Sequence, residues 1–248
     1  MTPIDLLVRS SKLGAEIGKC WSNDVLRRWE TETVMLDLYG YKYSVYAWIA
    51  RFTLHEKGIN YNWIEVNPFS DNVDAGYLRK HPFRRVPTLV HGNFVLYETG
   101  AITRYTDDAF EGPKLQPDDL KERARANQVM SIVDSYTYWP LVRQVFAHGV
   151  MGPRIGRSFD PEEVVRGLEA SERTLDALEE LIGDNRFFAG SSLSLADIHL
   201  APMLSYFSEA DAGKSAINRR VRLKRWFPEI CRRKAFLETK PMLPNPKV

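Results

Sequence analysis

The chain has 248 residues, 44% hydrophobic and 27% charged, which is ordinary globular composition with room for one large or two modest domains. A formal net charge of +2 does not call for nucleic acid or an anionic membrane, so neither is expected as a partner. Two cysteines, Cys20 and Cys231, make neither a disulfide framework nor a four-ligand zinc site. A cytoplasmic location is expected, and no apolar run approaches the roughly 18 residues of a transmembrane helix.

In residues 1–34, Leu13, Ile17, Trp21, Val25 and Trp29 recur at every fourth position, the stripe of a helix. Basic Arg9, Lys12, Lys19, Arg27 and Arg28 are balanced by Asp5, Glu16, Asp24, Glu30 and Glu32, which argues against a transit peptide. Two readings stand: an extra helix docked on the body, or translated sequence upstream of a start at Met35. The abrupt onset of ordered pattern at Met35 favours the second.

Residues 35–111 read as a compact α/β unit. Val34 to Tyr39 alternates as a strand, and Gly40 breaks it. Ser44 is placed to cap a helix from Val45 to Lys57, with Val45, Trp48, Ile49, Phe52 and Leu54 as its apolar face and Gly58 as its stop. Tyr61 to Val66 is a second strand, and Asp74 to Lys80 a short helix ended by His81-Pro82. Thr88–Val90 and Phe94–Leu96, joined by His91-Gly92-Asn93, predict a β-hairpin. Thr99 then opens a helix. Arg84 to Ile102 therefore sets a Val-Pro, a carboxylate and a helix N-terminus close together, which suits a small zwitterionic, peptide-like ligand.

Residues 112–118 form a polar, proline-bearing linker, and residues 119–248 read as helical with a loose tail from Pro241. Asp119 to Val150 is helical, kinked at Pro140 and rich in aromatics. Pro161 suits the first turn of a helix over Glu162 to Leu181 that ends at Gly183. Ser194 and Asp197 make a capping box opening a buried helix, Leu195 to Glu209, so Asp197 is a cap and not a base. The five histidines show no metal-ligand spacing, and no metal is expected. The basic cluster Arg219, Arg220, Arg222, Lys224, Arg225, Arg232, Arg233 and Lys234 is interrupted by Trp226, Phe227 and Pro228. That pattern fits a packed helix with a charged edge better than a nucleic-acid groove.

Residues 35–111 resemble the N-terminal, thioredoxin-like domain of a cytosolic glutathione transferase. The resemblance rests on Val86-Pro87 followed twelve residues later by Glu98-Thr99, on the strand–Ser44–helix before them, and on the helical remainder with its SLADI segment at Ser194–Ile198. It implies an α/β thioredoxin-like domain followed by an all-α domain, and a homodimer that uses glutathione as co-substrate. In the serine-type classes the sulfur-activating Ser lies fourteen residues before a helix-ending Gly, as Ser44 does before Gly58. A hydroxyl at a helix N-terminus favours a thiolate by hydrogen bonding and by the helix dipole, although Tyr41, Tyr43 or Tyr46 would supply the same bond.

A cis Val86-Pro87 bond would offer the backbone of Val86 to the tripeptide, and Glu98 and Thr99 would hold its γ-glutamyl end. Thr99 stands where most transferases carry Ser, and Gly100 where some classes carry a basic residue, so any contact from there is lost. Arg84 falls where several classes place a cation for the glycyl carboxylate. Tyr46, Tyr136, Tyr138, Trp139 and Arg143 are the candidates for the second substrate. The implied activity is addition of the glutathione thiolate to an electrophilic apolar molecule, in a detoxifying role. The competing reading is a non-catalytic glutathione-binding or structural protein of the same fold.

Overall fold

The computed structural model describes residues 36–157 and 160–245. The expectations for residues 1–34 lie outside the described residues. The first strand, β1 (Leu36–Gly40), buries Leu36, Leu38 and Gly40 on one face and leaves Asp37 and Tyr39 on the other. Helix α1 (Val45–Glu56), strand β2 (Asn62–Glu65) and the short helix α2 (Ala75–Lys80) follow. The hairpin is β3 (Thr88–His91) and β4 (Phe94–Tyr97), and α3 (Thr99–Ala109) closes the unit. The sheet order is β2-β1-β3-β4, with β1 parallel to β2 and antiparallel to β3. Leu38 lies opposite both Trp63 and Leu89, so the central strand is apolar where the sheet is covered.

Helix α1 is buried on two sides. Ala50 and Leu54 join Leu36, Leu38, Leu89 and Ile102 in the core of the sheet. Val45, Trp48, Ile49 and Phe52 face a second, larger core built by the helices that follow. The apolar stripe expected on α1 is thus divided between two cores, and α1 becomes the wall they share. Gly40 matters to this arrangement, because a Cβ there would lie 2.3 Å from the Trp63 ring.

The helical part begins with α4 (Leu120–Ile132), capped by Asp119. It runs on as a wider, π-type winding over Val133–Met151 and ends in a turn at Gly152–Ile155. The kink expected at Pro140 is replaced by this change of winding, which starts before the proline. Pro140 cannot donate a backbone bond, and the Thr137 hydroxyl donates to the Val133 carbonyl. Helices α5 (Pro161–Ile182), α6 (Leu195–Phe207), α7 (Asp211–Asn218), α8 (Val221–Cys231) and α9 (Lys234–Thr239) follow among the described residues. Every residue of α6 is buried, as an all-round apolar helix requires. It ends at Phe207, short of Glu209.

The basic cluster largely faces acids and helix ends. Arg219 and Arg220 meet Glu172, Arg220 also meets Asp176, Arg222 meets Asp184, and Arg225 donates to the Gly183 and Asn185 carbonyls. Arg233 grips Glu56 on α1 through two bonds of 2.6 and 2.7 Å. The tail is held, not loose, over its described part: Leu243 packs on the large core, and the Pro244 carbonyl accepts from Arg154 at 3.1 Å. None of the described helices is long and apolar enough to cross a membrane.

Candidate functional site

The turn Tyr41–Ser44 leads from β1 into α1, closed by the Ser44 N–H donating to the Tyr41 carbonyl at 2.8 Å. Ser44 caps α1 with φ −74° and ψ 120°, and its Oγ accepts from the Ala47 N–H at 3.2 Å. The bond occupies a lone pair and leaves the hydroxyl proton free for a ligand, so capping and donation are compatible at one atom. Among the tyrosines weighed beside Ser44, Tyr41 lies edge-on to Tyr43 and Phe69, and Lys42 sits over the Tyr43 ring. Tyr46 turns toward the helical part, with its ring 5.0 Å from that of Tyr138. Burial, and then the Asp134 carboxylate, push its phenol far above the usual range.

The second wall is the stretch before β3 and the start of α3. Val86-Pro87 is cis. Tyr77 of α2 grips both flanks, donating to the Arg85 carbonyl and lying 3.1 Å from the Thr88 hydroxyl. Among the described residues, neither the N–H nor the carbonyl of Val86 meets a hydrogen-bond partner. Glu98 is exposed at the cap position of α3 with φ 71°, and Thr99 is buried at the first helical position. Glu98 and Arg84 (φ 52°) are the non-glycine residues with positive φ among those described, and both are candidate ligand residues. Such backbone is costly and persists where the surroundings over-determine it, as at binding sites. The Arg84 guanidinium donates to the Ser70 carbonyl, so a grip on a ligand carboxylate would require that bond to open.

Between the walls lie charges that sequence reading missed. Asp134, one π-type turn before Tyr138, feels both Glu98 and Arg104. Its side chain keeps an exposed face, but partial loss of water around it, with Arg104 opposing and the Glu98 charge adding, pushes its carboxyl up to about 6. Arg104 donates to the Gly100 carbonyl at 2.9 Å and is fixed by Asn127 at 2.8 and 3.0 Å. A Cβ on Gly100 would lie 3.1 Å from this guanidinium. A cation therefore stands beside Gly100 after all, supplied one turn later in α3 and admitted by the missing side chain. His81 packs tilted on Tyr97 at 4.7 Å, and burial keeps its pKa low.

Of the residues expected to meet a second substrate, the structure brings Tyr46 together with Tyr138. Tyr136 and Trp139 do not make that aromatic contact; they are 65% and 62% exposed. Arg143 is half-buried and has no ion-pair partner among the described residues. No group of three His, Cys, Asp or Glu among the described residues has the arrangement to hold a metal ion.

Residues 38–114 match the description "Glutathione S-transferase, N-terminal domain", and residues 161–227 match "Glutathione S-transferase, C-terminal domain". A glutathione S-transferase of Arabidopsis thaliana is 30% identical over 212 residues, covering 84% of this chain and 96% of its own. The chain belongs to the glutathione S-transferase family. A glutathione S-transferase of Triticum aestivum is 32% identical over 173 residues, covering 67% of this chain and 76% of its own. A crystal structure of a glutathione transferase from Populus trichocarpa aligns with a TM-score of 0.74 at 27% identity, over 83% of this chain and 97% of that one. The expected architecture is thus the observed one, and the protein is an enzyme of this family.

Proposed function

We propose that this glutathione transferase activates glutathione with the Ser44 hydroxyl and adds the thiolate to an electrophilic, apolar small molecule. What carries the reading is the Ser44 hydroxyl itself, which takes the Ala47 N–H and keeps its own proton to give. The helix dipole and the polarising Ala47 bond both favour an anion in front of it. Free glutathione is only a few per cent thiolate at neutral pH; lowering its pKa by about two units from about 8.5 raises that fraction roughly 25-fold at pH 7. The sulfur then bonds to the electrophilic carbon, and a leaving group departs with its electron pair, or the substrate takes up a proton.

The unpartnered backbone of Val86 suits the cysteinyl unit of the tripeptide by strand-like pairing. Glu98, with Asp134 behind it, suits the γ-glutamyl ammonium, and the Thr99 hydroxyl and free N–H groups of α3 suit its carboxylate. Arg84 is assigned to the glycyl carboxylate. Tyr46 and Tyr138 form the apolar floor for the second substrate, with Arg143, Tyr136 and Trp139 at its edge. A cytoplasmic, detoxifying homodimer is part of the same proposal. The homodimer is supported by exposed Phe83, Phe94 and Val95 on the first domain and Val165 on the second, and sedimentation equilibrium checks it.

The decisive experiment is the ultraviolet thiolate absorbance of bound glutathione against pH in the wild type and in Ser44→Ala. A bound thiol already ionised at neutral pH in the wild type and protonated in Ser44→Ala is expected. Equal titrations in the two proteins would transfer the role to a tyrosine.

A further inference from the structure

Tyr206 lies in the buried helix α6, yet its hydroxyl donates to the Tyr43 carbonyl at 3.1 Å. The bond runs from the helical part to the turn that carries Ser44. The peptide unit joining Tyr43 to Ser44 is thereby held at both of its polar atoms. Its carbonyl takes the Tyr206 hydroxyl, and its N–H is given to the Tyr41 carbonyl at 2.8 Å. A peptide unit is planar, so bonds at its two opposite edges fix its rotation about the chain. The direction of the Ser44 Cα–Cβ bond follows from that plane, and so does the place where the hydroxyl points.

The donor is itself firmly seated. The Tyr206 ring stacks on Phe146 with centroids 4.0 Å apart and planes 6° from parallel, and it lies against Trp48 at 5.5 Å. Its exposure is nil, and burial pushes its phenol far above the usual range, so the oxygen keeps its proton. Trp48 is in turn tied to α9 by its indole N–H, which donates to the Thr239 hydroxyl at 3.0 Å. The turn before Ser44 is therefore braced by a rigid aromatic stack and not by the sheet alone.

We propose that Tyr206 is a positioning residue for glutathione activation: through the Tyr43 carbonyl it aims the Ser44 hydroxyl at the sulfur. This rests on the assignment of Ser44 made above. Electrostatic stabilisation of a developing or resting anion depends on donors fixed in advance, and a small rotation of the Tyr43–Ser44 peptide would lengthen and bend the bond to sulfur. The glutathione-holding residues lie on other elements and do not share the tether.

Tyr206→Phe keeps the ring stack and removes only the hydroxyl. The measurement is the thiolate titration of bound glutathione together with its dissociation constant. One lost neutral hydrogen bond corresponds to a change of about fivefold in an equilibrium constant, so the pKa of the bound thiol is expected to rise by up to about 0.7, and the thiolate fraction and kcat at pH 7 to fall by about twofold. The dissociation constant measured at about pH 5, where the thiol is protonated in both proteins, is expected to change by less than about twofold, a split that general loosening of the fold would not produce. In a Ser44→Ala background the same substitution is expected to leave the titration unmoved, because its route runs through Ser44.

An unmoved titration in Tyr206→Phe, with Ser44→Ala showing its full shift, overturns the tether and leaves the Ser44 assignment standing. If Ser44→Ala is itself silent, both fall. An equal Tyr206→Phe effect with and without Ser44 also overturns the proposal, since the route would lie elsewhere. Should Tyr206→Phe not fold, Phe146→Leu loosens the seat while keeping the hydroxyl and its acceptor. A smaller shift in the same direction is expected there, and no shift overturns the tether.

Discussion

The Lys57 ammonium and the Asp107 carboxylate meet at 3.1 Å with both side chains only 2% exposed. Lys57 ends α1, and Asp107 belongs to the last turn of α3. The same carboxylate accepts from the N–H groups of Leu115 and Gln116, each at 2.9 Å, while the Leu115 carbonyl accepts from the Leu195 N–H of α6. One buried ion pair thus fastens the linker to both parts of the molecule. Lys57→Met leaves the carboxylate with its two backbone donors and is expected to cost about 3 kcal/mol. Asp107→Ala leaves the ammonium only the residue-107 backbone carbonyl, to which it donates at 3.0 Å, removes its counter-charge and strands both N–H groups, and is expected to cost more. Denaturant unfolding of the two variants gives the order; the reverse order would mean that water satisfies the linker N–H groups.

Asp197 holds a comparable junction at the start of α6. Its carboxylate accepts from the Phe188 N–H, the Ser194 N–H and hydroxyl, and the Trp226 indole at 2.8–3.1 Å, with no exposure. Burial pushes the carboxyl up, and the four donors pull it back. Removing the acceptor orphans four buried donors, so Asp197→Ala is expected to destabilise by about 3 kcal/mol or more. Asp197→Asn keeps one acceptor oxygen and is expected to cost less. Thermal unfolding of both variants checks this, and equal losses would mean that the charge, not the acceptor geometry, is what matters.

Features that depend on neighbouring residues were legible in the sequence. The caps read there, Ser44 and the Ser194–Asp197 box, act on N–H groups three residues away and form as their residue types require; Asp74, Asp119 and Asp160 cap their helices as well, although the sequence reading did not single them out as caps. The spacing from Val86 to Glu98 is a hairpin's length, and the hairpin forms. What failed depends on winding and on contacts across the fold. Pro140 predicts a kink in an α-helix, but the chain takes a π-type winding from Val133, and of the aromatics there Tyr138 makes the contact with Tyr46 on α1 while Tyr136 and Trp139 stay exposed. Asp134, Arg104 and Tyr206 acquire their places only when α3, α4 and α6 pack, and no local pattern marks them. The charged edge of the basic cluster is there, with Arg219, Lys224, Arg225, Arg232 and Lys234 exposed beside buried Leu223 and Trp226; what local pattern does not mark is the buried Arg220, whose acids Glu172 and Asp176 lie far back in the chain.

Asp134 should make stability depend on acid pH. Its carboxyl is raised from 3.8 to about 6, so between those values the folded chain holds a proton that the unfolded chain has released. Stability from this group is full below about pH 4 and is lost as pH rises through about 6. Asp134→Asn removes that slope. Melting temperatures across this range should show the variant gaining on the wild type as pH rises, then a constant difference above it. Parallel curves would show that Asp134 titrates normally. Glutathione, by bringing an ammonium to Glu98 and Asp134, is expected to lower the midpoint in the wild type.

Glu98 joins a strained backbone to a charge, and the two can be separated by substitution. Its φ of 71° is costly for any residue with a Cβ and easy for glycine. Glu98→Gly is therefore expected to raise stability by about 1 kcal/mol while removing the carboxylate. Glu98→Gln keeps the strain and the shape but not the charge. Loss of a charge-assisted bond to the γ-glutamyl ammonium corresponds to roughly tenfold weaker glutathione binding in both variants. The thiolate titration of whatever glutathione binds should stay near that of the wild type, because Ser44 is untouched. Calorimetric titration with glutathione, paired with melting curves, reads the two signs independently. A Glu98→Gly protein that binds as tightly as the wild type would remove Glu98 from the ligand site, and one that loses stability would show that the backbone there is held at no cost.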